Sequence, residues 1–244
     1  MRYAILGDIH ANLLALEAVM TTAKARGVDR ILSVGDVVGY GAGAREVMDI
    51  LRDNEVPTVL GNHDAAIAGD LDTTFFNPMA KEAVQWTQGQ LTEGDLDWLH
   101  ELPLLLHLDG CSVAHGSYSD PDLYKYIQST EDADPSLDLQ PEKVCFVGHT
   151  HVPVSILRMQ DNPERSFYTM DEQVDLSLVD KALINVGSVG QPRDEDPRAA
   201  LGIYDTSTQL FELLRVEYNI KLEAKRIEAS GLPKMLADRL FLGV

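Results

Sequence analysis

Five short segments of this 244-residue chain carry the side chains that most often bind metal ions. They supply carboxylates, imidazoles and one amide, from Asp8, His10, Asp36, Asn62, His115, His149 and His151. Oxygen and imidazole donors without a thiolate suit Mn, Fe, Co, Ni or Zn, and they do not choose among these metals. Seven donors are enough for two neighbouring ions. The sequence therefore predicts a pair of divalent transition-metal ions, with manganese among the candidates.

The spacing within two of the segments is two residues. Asp8 and His10 form one such pair, and His149 and His151 form the other. On an extended backbone, residues two apart point to the same side. We therefore expect each pair to lie on an extended segment and to hold metal from one face.

The candidate residues follow short apolar runs that end at or near glycine. The runs cover residues 3–6, 30–34, 58–60, 111–113 and 144–147. Runs of this kind, rich in Val and Ile, are typical of buried strands in an α/β sheet. Ligands that follow the carboxyl ends of such strands meet at one edge, where α/β proteins place their active sites.

The elements between these runs alternate as in a parallel sheet. Apolar residues at helical spacing predict helices over residues 12–26 and 44–54, and strands are expected over 30–34 and 56–60. Two further helices are predicted over 78–90 and 93–99. Later strands are predicted over 104–108, 111–114, 144–147, 152–157, 182–186, 200–204 and 210–216.

Three segments have weaker patterns. Residues 131–142 are acidic and contain Pro135 and Pro141, which favours a surface loop. Residues 161–175 are polar and indicate a hairpin or an excursion. Residues 221–242 could form one or two amphipathic helices.

The composition restricts the class of protein. The chain is 45% hydrophobic and has a net charge of −19, from 39 acidic and 20 basic residues. Such an acidic surface argues against non-specific binding to nucleic acids or anionic membranes. Cys111 and Cys145 lie in apolar runs and are expected to be buried free thiols, with a disulfide as the alternative. The sequence starts directly with a strand pattern and has no long apolar run, so we expect a cytoplasmic protein.

The five segments, in their order, resemble the motifs of the calcineurin-like metallophosphoesterase superfamily. These motifs are D-x-H, G-D, G-N-H-D, a lone His before Gly, and G-H-x-H, and the resemblance covers roughly residues 1–205. It is nearest to the small bacterial and archaeal phosphodiesterase-like branch. It implies an α/β fold, a four-layer αββα sandwich with two mixed β-sheets, formed by one domain over 1–244 with a helical insertion at about 77–100.

The resemblance also implies roles for individual residues. Asp8, His10 and His151 would bind the first metal, Asn62, His115 and His149 the second, and Asp36 would bridge both. His63 would serve the substrate, oriented by Asp64. A carboxylate bonded to a ring nitrogen of His63 would fix its tautomer and favour its protonated form.

One departure from the superfamily concerns its protein Ser/Thr phosphatases. Those carry an arginine before G-N-H, where this chain has Leu60, and an aspartate where it has Gly39. Protein phosphatase activity is therefore disfavoured. Tyr40 and Arg193 are the candidate substrate-binding residues, although either could be an ordinary loop residue.

The expected activity is that of a dinuclear metal-dependent phosphoesterase. A hydroxide bridging the metals would attack phosphorus in line, and His63 would protonate the leaving group or stabilise its charge. The expected substrates are small phosphodiesters or nucleotide-like phosphoesters. The alternatives are a nucleoside polyphosphate hydrolase, a small-molecule phosphomonoesterase and, in another class, a non-catalytic phosphoesterase-fold scaffold. The pattern leaves the oligomeric state open.

Overall fold

The computed structural model describes all 244 residues, and its strands form two sheets. The first sheet contains, in spatial order, β2 (Arg30–Ser33), β1 (Arg2–Leu6), β10 (Ala199–Asp205), β11 (Leu210–Val216) and β8 (Gln173–Asp175). The second contains β3 (Leu105–Leu108), β4 (Cys111–Ala114), β5 (Val144–Val147), β9 (Val179–Asn185), β6 (Val154–Met159) and β7 (Asn162–Thr169). Both sheets mix parallel and antiparallel pairs, because β1–β2, β4–β5 and β5–β9 are parallel.

Eight α-helices surround or extend from these sheets. They are α1 (Leu13–Ala25), α2 (Ala44–Asp53), α3 (Asn62–Ala68), α4 (Pro78–Gln88), α5 (Glu93–His100), α6 (Thr130–Leu139), α7 (Ile220–Ser230) and α8 (Lys234–Asp238). The helices predicted over 12–26, 44–54, 78–90 and 93–99 are confirmed to within three residues at each end, and so are the strands predicted from residue 104 onward. The tail forms two helices, α7 and α8, as one of the two expected possibilities. None of the helices is long and apolar enough to cross a membrane.

The alternation of side chains along β1 creates two core layers. Tyr3 and Ile5 point into one buried cluster, which includes Phe146 of the second sheet. Ala4 and Leu6 point to the other side and pack in a cluster with α1 and α2. The sheets therefore pack face to face with helices outside, as expected for the four-layer αββα sandwich.

The outer face of the second sheet is covered by α6, where the sequence predicted a surface loop. That prediction is wrong for residues 130–139. Ser129 caps the helix by accepting a hydrogen bond from the Asp132 N–H, and Ala133 and Leu137 are buried against the sheet. Burial of this apolar face outweighs the helix hydrogen bond that Pro135 cannot donate.

Residues 56–60 do not form the predicted third strand. They run beside β2 with a single bridge between Ser33 and Thr58. Ser33 N–H donates to the Pro57 carbonyl at 2.9 Å, but Pro57 has no N–H with which to continue a ladder. The polar segment 161–175 forms no hairpin of its own: it supplies β7, which pairs with the preceding strand β6, and β8, which joins the first sheet. Cys111 and Cys145 are buried and free, as expected.

Candidate metal centre

All seven candidate ligands lie at one edge of the sandwich, beyond the carboxyl ends of parallel strands. Asp8 and His10 follow β1, Asp36 follows β2, His115 follows β4, and His149 and His151 follow β5. Asn62 is the first residue of α3. The loops after β1 and β2 are joined directly, because His10 N–H donates to the Asp36 carbonyl at 2.9 Å. Residues from both sheets therefore lie together at this edge of the sandwich.

The ligands form two clusters that share one residue. In each, the candidate metal-binding atoms lie within 4.8 Å of one another. The first cluster contains Asp8, His10, Asp36 and His151. The second cluster contains Asp36, His115 and His149, and Asn62 joins it because its Oδ1 lies 3.0 Å from His115 Nε2. The structure thus brings all seven candidate ligands together in two groups.

Asp36 lies between the two clusters. Its Oδ2 is 3.5 Å from His10 Nε2 on one side and 3.5 Å from His115 Nε2 on the other. Its Oδ1 accepts a hydrogen bond from the backbone N–H of His63 at 2.8 Å. A single carboxylate oxygen therefore faces both clusters, while the other oxygen fixes the orientation of the group.

The nitrogen atoms inside each cluster face one another closely. His10 Nε2 is 3.1 Å from His151 Nε2, and His115 Nε2 is 3.2 Å from His149 Nδ1. Two ligands of one ion at about 2.0–2.2 Å, set at right angles, would lie about 3 Å apart. Converging nitrogens at this spacing, buried beside carboxylates, fit a bound cation.

Backbone carbonyls orient three of the four imidazoles. The Nδ1 atoms of His10, His115 and His151 donate to the carbonyls of Val38, Val34 and Gln191, at 3.2, 2.8 and 2.6 Å. Each Nε2 then points into its cluster, where its deprotonated form would bind metal. His149 differs, because its Nδ1 points into the cluster and its ring stacks on Tyr126, with centroids 3.9 Å apart.

Burial sets the protonation of most of the centre. It lowers the pKa of His149 to about 3, and those of His10 and His151 well below the usual histidine range. These imidazoles are therefore neutral at neutral pH, which is the form that binds metal. Burial opposes protonation of His115 as well, but the charge and hydrogen bond of Asp36 outweigh it and raise the pKa of His115 to about 9.

The two-residue pairs do not lie on extended backbone, so that prediction is wrong. Asp8 and His10 have φ angles of 43° and 48°, and His149 and His151 have 68° and 62°. All four are in the left-handed region, which is uncommon for residues other than glycine. Tight turns beyond the strands, rather than the alternation of a strand, bring each pair together.

Two of the motif glycines are required by close approach. A Cβ at Gly61 would lie 2.2 Å from Asp36 Oδ1, and a Cβ at Gly148 would lie 2.4 Å from Asp8 Oδ2. Either contact would displace a carboxylate of the centre. The glycines before Asn62 and His149 therefore leave space for the two acids.

His63 lies beside the first cluster without joining it. Its ring packs among those of His10, Tyr40 and Phe76, with centroids 4.9, 4.4 and 5.1 Å away, and its buried Nδ1 has no hydrogen-bond partner. Burial lowers the pKa of His63 to about 4. The expectation that the protonated form is favoured is therefore wrong for the substrate-free protein.

Asp64 does not orient the His63 ring, contrary to expectation. Its carboxylate accepts hydrogen bonds from the backbone N–H groups of Val37, Val38 and Gly61 at 3.0–3.2 Å. It thus joins the loop that carries Asp36 to the first turn of α3. Asp64 positions the backbone on both sides of the centre and makes no hydrogen bond to an imidazole.

Both candidate substrate-binding residues lie at the centre. The Tyr40 ring packs on His10 at 4.7 Å, and the Arg193 guanidinium lies over the Tyr40 ring at 5.9 Å. Arg193 Nη2 also donates to Gln191 Oε1 at 3.1 Å, in the loop whose backbone holds His151. Sequence reasoning missed Tyr126 and Phe76, which contact His149 and His63 from outside the motifs.

The sequence and the fold both match known proteins. The calcineurin-like phosphoesterase superfamily domain matches residues 1–209. An uncharacterized protein of Methanocaldococcus jannaschii is 35% identical over 246 residues, which span 98% of this chain and 97% of that protein. The crystal structure of a metallophosphoesterase from Sphaerobacter thermophilus is 40% identical with a TM-score of 0.86, and covers 100% of this chain and 99% of its own.

A third comparison concerns the fold alone. The crystal structure of a hypothetical protein from Pyrococcus horikoshii OT3 has 21% identity and a TM-score of 0.81, and covers 100% of this chain and 98% of its own. The order of the motifs, the two mixed sheets and the clustered histidines and aspartates agree with these matches. The chain therefore belongs to the calcineurin-like phosphoesterase superfamily.

Proposed function

We propose that this protein is a hydrolase that uses two divalent metal ions to cleave small phosphodiesters or nucleotide-like phosphoesters. The observation that carries the proposal is the position of Asp36 Oδ2, 3.5 Å from an imidazole nitrogen of each cluster. A negative oxygen placed between the two clusters offsets the repulsion between two cations. When bound, two such ions polarise phosphoryl oxygens and lower the pKa of a coordinated water.

Separate residues would hold the two metal ions and serve the substrate. Asp8, His10 and His151 would hold one ion, and Asn62, His115 and His149 the other, with Asp36 shared. Tyr40 and Arg193 would contact the bound substrate. Because the His63 ring is neutral, it would stabilise the leaving oxygen as a hydrogen-bond donor, or accept a proton once the anionic substrate is bound.

The electrostatic balance of the centre explains how an acidic protein would attract an anionic substrate. Two divalent ions carry four positive charges, and the carboxylates of Asp8 and Asp36 offset two of them. The centre would thus be locally positive within a chain of net charge −19. Substrate attraction would depend on the bound metals, since the surface itself repels polyanions.

A substrate panel tests the proposal. With the same metal and pH, we expect kcat/KM for bis-nitrophenyl phosphate to equal or exceed that for nitrophenyl phosphate. The physical reason is charge, because a diester carries one negative charge and a monoester nearly two, and Leu60 stands where protein phosphatases carry their arginine. The panel is run with Mn, Fe, Ni and Zn, and a metal-free sample is the control.

The second candidate is a small-molecule phosphomonoesterase, and the position of Arg193 favours it. The guanidinium lies over Tyr40 beside the first cluster and could substitute for the missing arginine. A clear preference for the monoester that Arg193→Ala abolishes would establish this alternative and overturn the diesterase proposal. Hydrolysis of neither substrate with any metal would overturn both.

A further inference from the structure

A cleft of about 720 Å³ opens directly beside the second cluster. We call it the Tyr126 cleft, after the residue that joins it to the centre. Tyr126 lines the cleft and stacks on His149 at an interplanar angle of 26°, and Thr150, between His149 and His151 in the chain, also lines it. Arg193 completes this inner end. A molecule whose phosphate lies at the metal centre would therefore extend into the cleft.

One wall of the cleft is apolar and exposed. Val154 and Ile156 of β6 form its base, and Tyr168 and Met170, at the end of β7, stand 66% and 61% exposed. Large apolar side chains with this exposure lie next to a candidate active site. Covering them with a ligand would lower the free energy, so they mark a binding surface.

The segment that leads into α6 adds polar residues to the lining of the cleft. Gln128 lies there, and its exposed side-chain amide makes no hydrogen bond within the protein. The amide offers both a donor and an acceptor to the edge of a ligand. The hydroxyl of Thr150, by contrast, already contacts Val152 and Asn185.

The charge of the cleft selects the kind of group that would fit. Arg193 is its one basic residue and Glu131 its one acidic residue, so the lining is neutral within a chain of net charge −19. A neutral lining suits an uncharged organic group better than a second phosphate. Tyrosine rings at both Tyr126 and Tyr168 favour a flat aromatic group, because every nucleobase has a face that stacks on such rings.

We propose that the Tyr126 cleft binds the nucleobase of a nucleoside phosphoester, with Tyr168 as a stacking surface and Gln128 as a contact to the base edge. This inference rests on the proposed function for the position of the phosphate. A base in the cleft favours nucleotide-like esters with one phosphoryl group at the metals as the substrates. It disfavours nucleoside polyphosphates, which would place further charge in the cleft.

Equilibrium binding to the manganese-loaded protein tests the proposal without requiring turnover. The probes are adenosine monophosphate, methyl phosphate and octyl phosphate, measured by calorimetry. We expect adenosine monophosphate to bind at least about tenfold more tightly than methyl phosphate, and more tightly than octyl phosphate. Stacking on one aromatic residue accounts for a factor of this size.

Variants assign the effect to the cleft. Tyr168→Ala should remove most of the advantage of adenosine monophosphate, and Gln128→Ala should remove part of it, while methyl phosphate affinity stays within about twofold. Met170→Ala is matched by Met235→Ala, since both side chains are similarly exposed, at 61% and 59%, and only Met170 lines the cleft. We expect only Met170→Ala to weaken binding.

Several outcomes would overturn the inference. Equal affinity for adenosine monophosphate and methyl phosphate would show that the cleft holds no base. Tighter binding of octyl phosphate would assign the cleft to an alkyl chain instead. An unchanged preference in Tyr168→Ala would place the base elsewhere. Failure of the proposed function would give a different result: the protein would not hydrolyse bis-nitrophenyl phosphate but would still bind adenosine monophosphate more tightly than methyl phosphate.

Discussion

The two clusters of the metal centre are built with different degrees of constraint. In the first cluster both imidazoles donate Nδ1–H to backbone carbonyls, and all four residues are at most 2% exposed. In the second, only His115 is anchored in this way, His149 is held by stacking on Tyr126, and Asn62 is 8% exposed. Ligands fixed by the backbone lose less freedom on binding. We therefore expect the first cluster to bind its ion more tightly.

The largest effect should come from the residue that the clusters share. Asp36→Ala removes a donor from both, so both ions should be lost and activity should fall by about 10⁴-fold or more, since each ion contributes several kcal/mol to transition-state stabilisation. Elemental analysis and turnover of the purified variant check this. Retention of both metals at wild-type occupancy would show that Asp36 does not join the clusters.

A substitution outside both clusters should separate chemistry from metal binding. His63→Ala should keep both ions and slow turnover by roughly 10²–10⁴-fold, the usual range for a group that assists proton transfer. The defect should shrink for nitrophenolate esters, whose leaving group needs little assistance. Loss of metal in this variant would place His63 among the ligands instead. Equal impairment with every leaving group would contradict its role at the leaving oxygen.

Stepwise metal titration tests the difference between the clusters directly. The metal-free protein should bind manganese in two steps that differ by about 10–100-fold in affinity, the range associated with the supports of metal ligands. His151→Ala should eliminate the tighter step and His149→Ala the weaker one. The reverse assignment, or a single step with two equal sites in the wild type, would contradict the comparison.

The smallest expected effect concerns the ring behind His149. Tyr126→Ala removes the stacking partner and should weaken only the second step, by a few-fold up to about tenfold. Tyr126→Phe keeps the aromatic face and is the matched control, with affinity expected to stay near wild type. A change confined to the tighter step would mean that Tyr126 supports the other cluster.

The sequence predicted the site best where a candidate metal ligand directly follows a buried strand. Ligands after short apolar runs converge on one edge because parallel strands share a direction, so the positions of Asp8, Asp36 and His149 could be expected from local pattern. The left-handed turns that aim these side chains could not, because non-glycine residues adopt that conformation only when the surrounding structure compensates for the strain.

The contacts that surround and support the ligands could not be predicted from local sequence patterns. The role of Asp64 depends on backbone N–H groups 26 and 27 residues away, at Val38 and Val37, which no local motif encodes. The helix over Thr130–Leu139 was missed because Pro135 and the acidic composition suggest a loop, whereas burial of Leu137 decides the outcome. Tyr126 belongs to no motif, and only the fold places its ring on His149.

Anomalous diffraction from a manganese-soaked crystal would show whether Asp36 joins two metal ions. We expect two anomalous peaks about 3.5–4 Å apart, the usual spacing of two-metal sites, on either side of Asp36 Oδ2. The peak among Asp8, His10 and His151 should persist when manganese is lowered. A single peak at saturating manganese, or a second peak away from Asp36, would show that Asp36 does not join two ions.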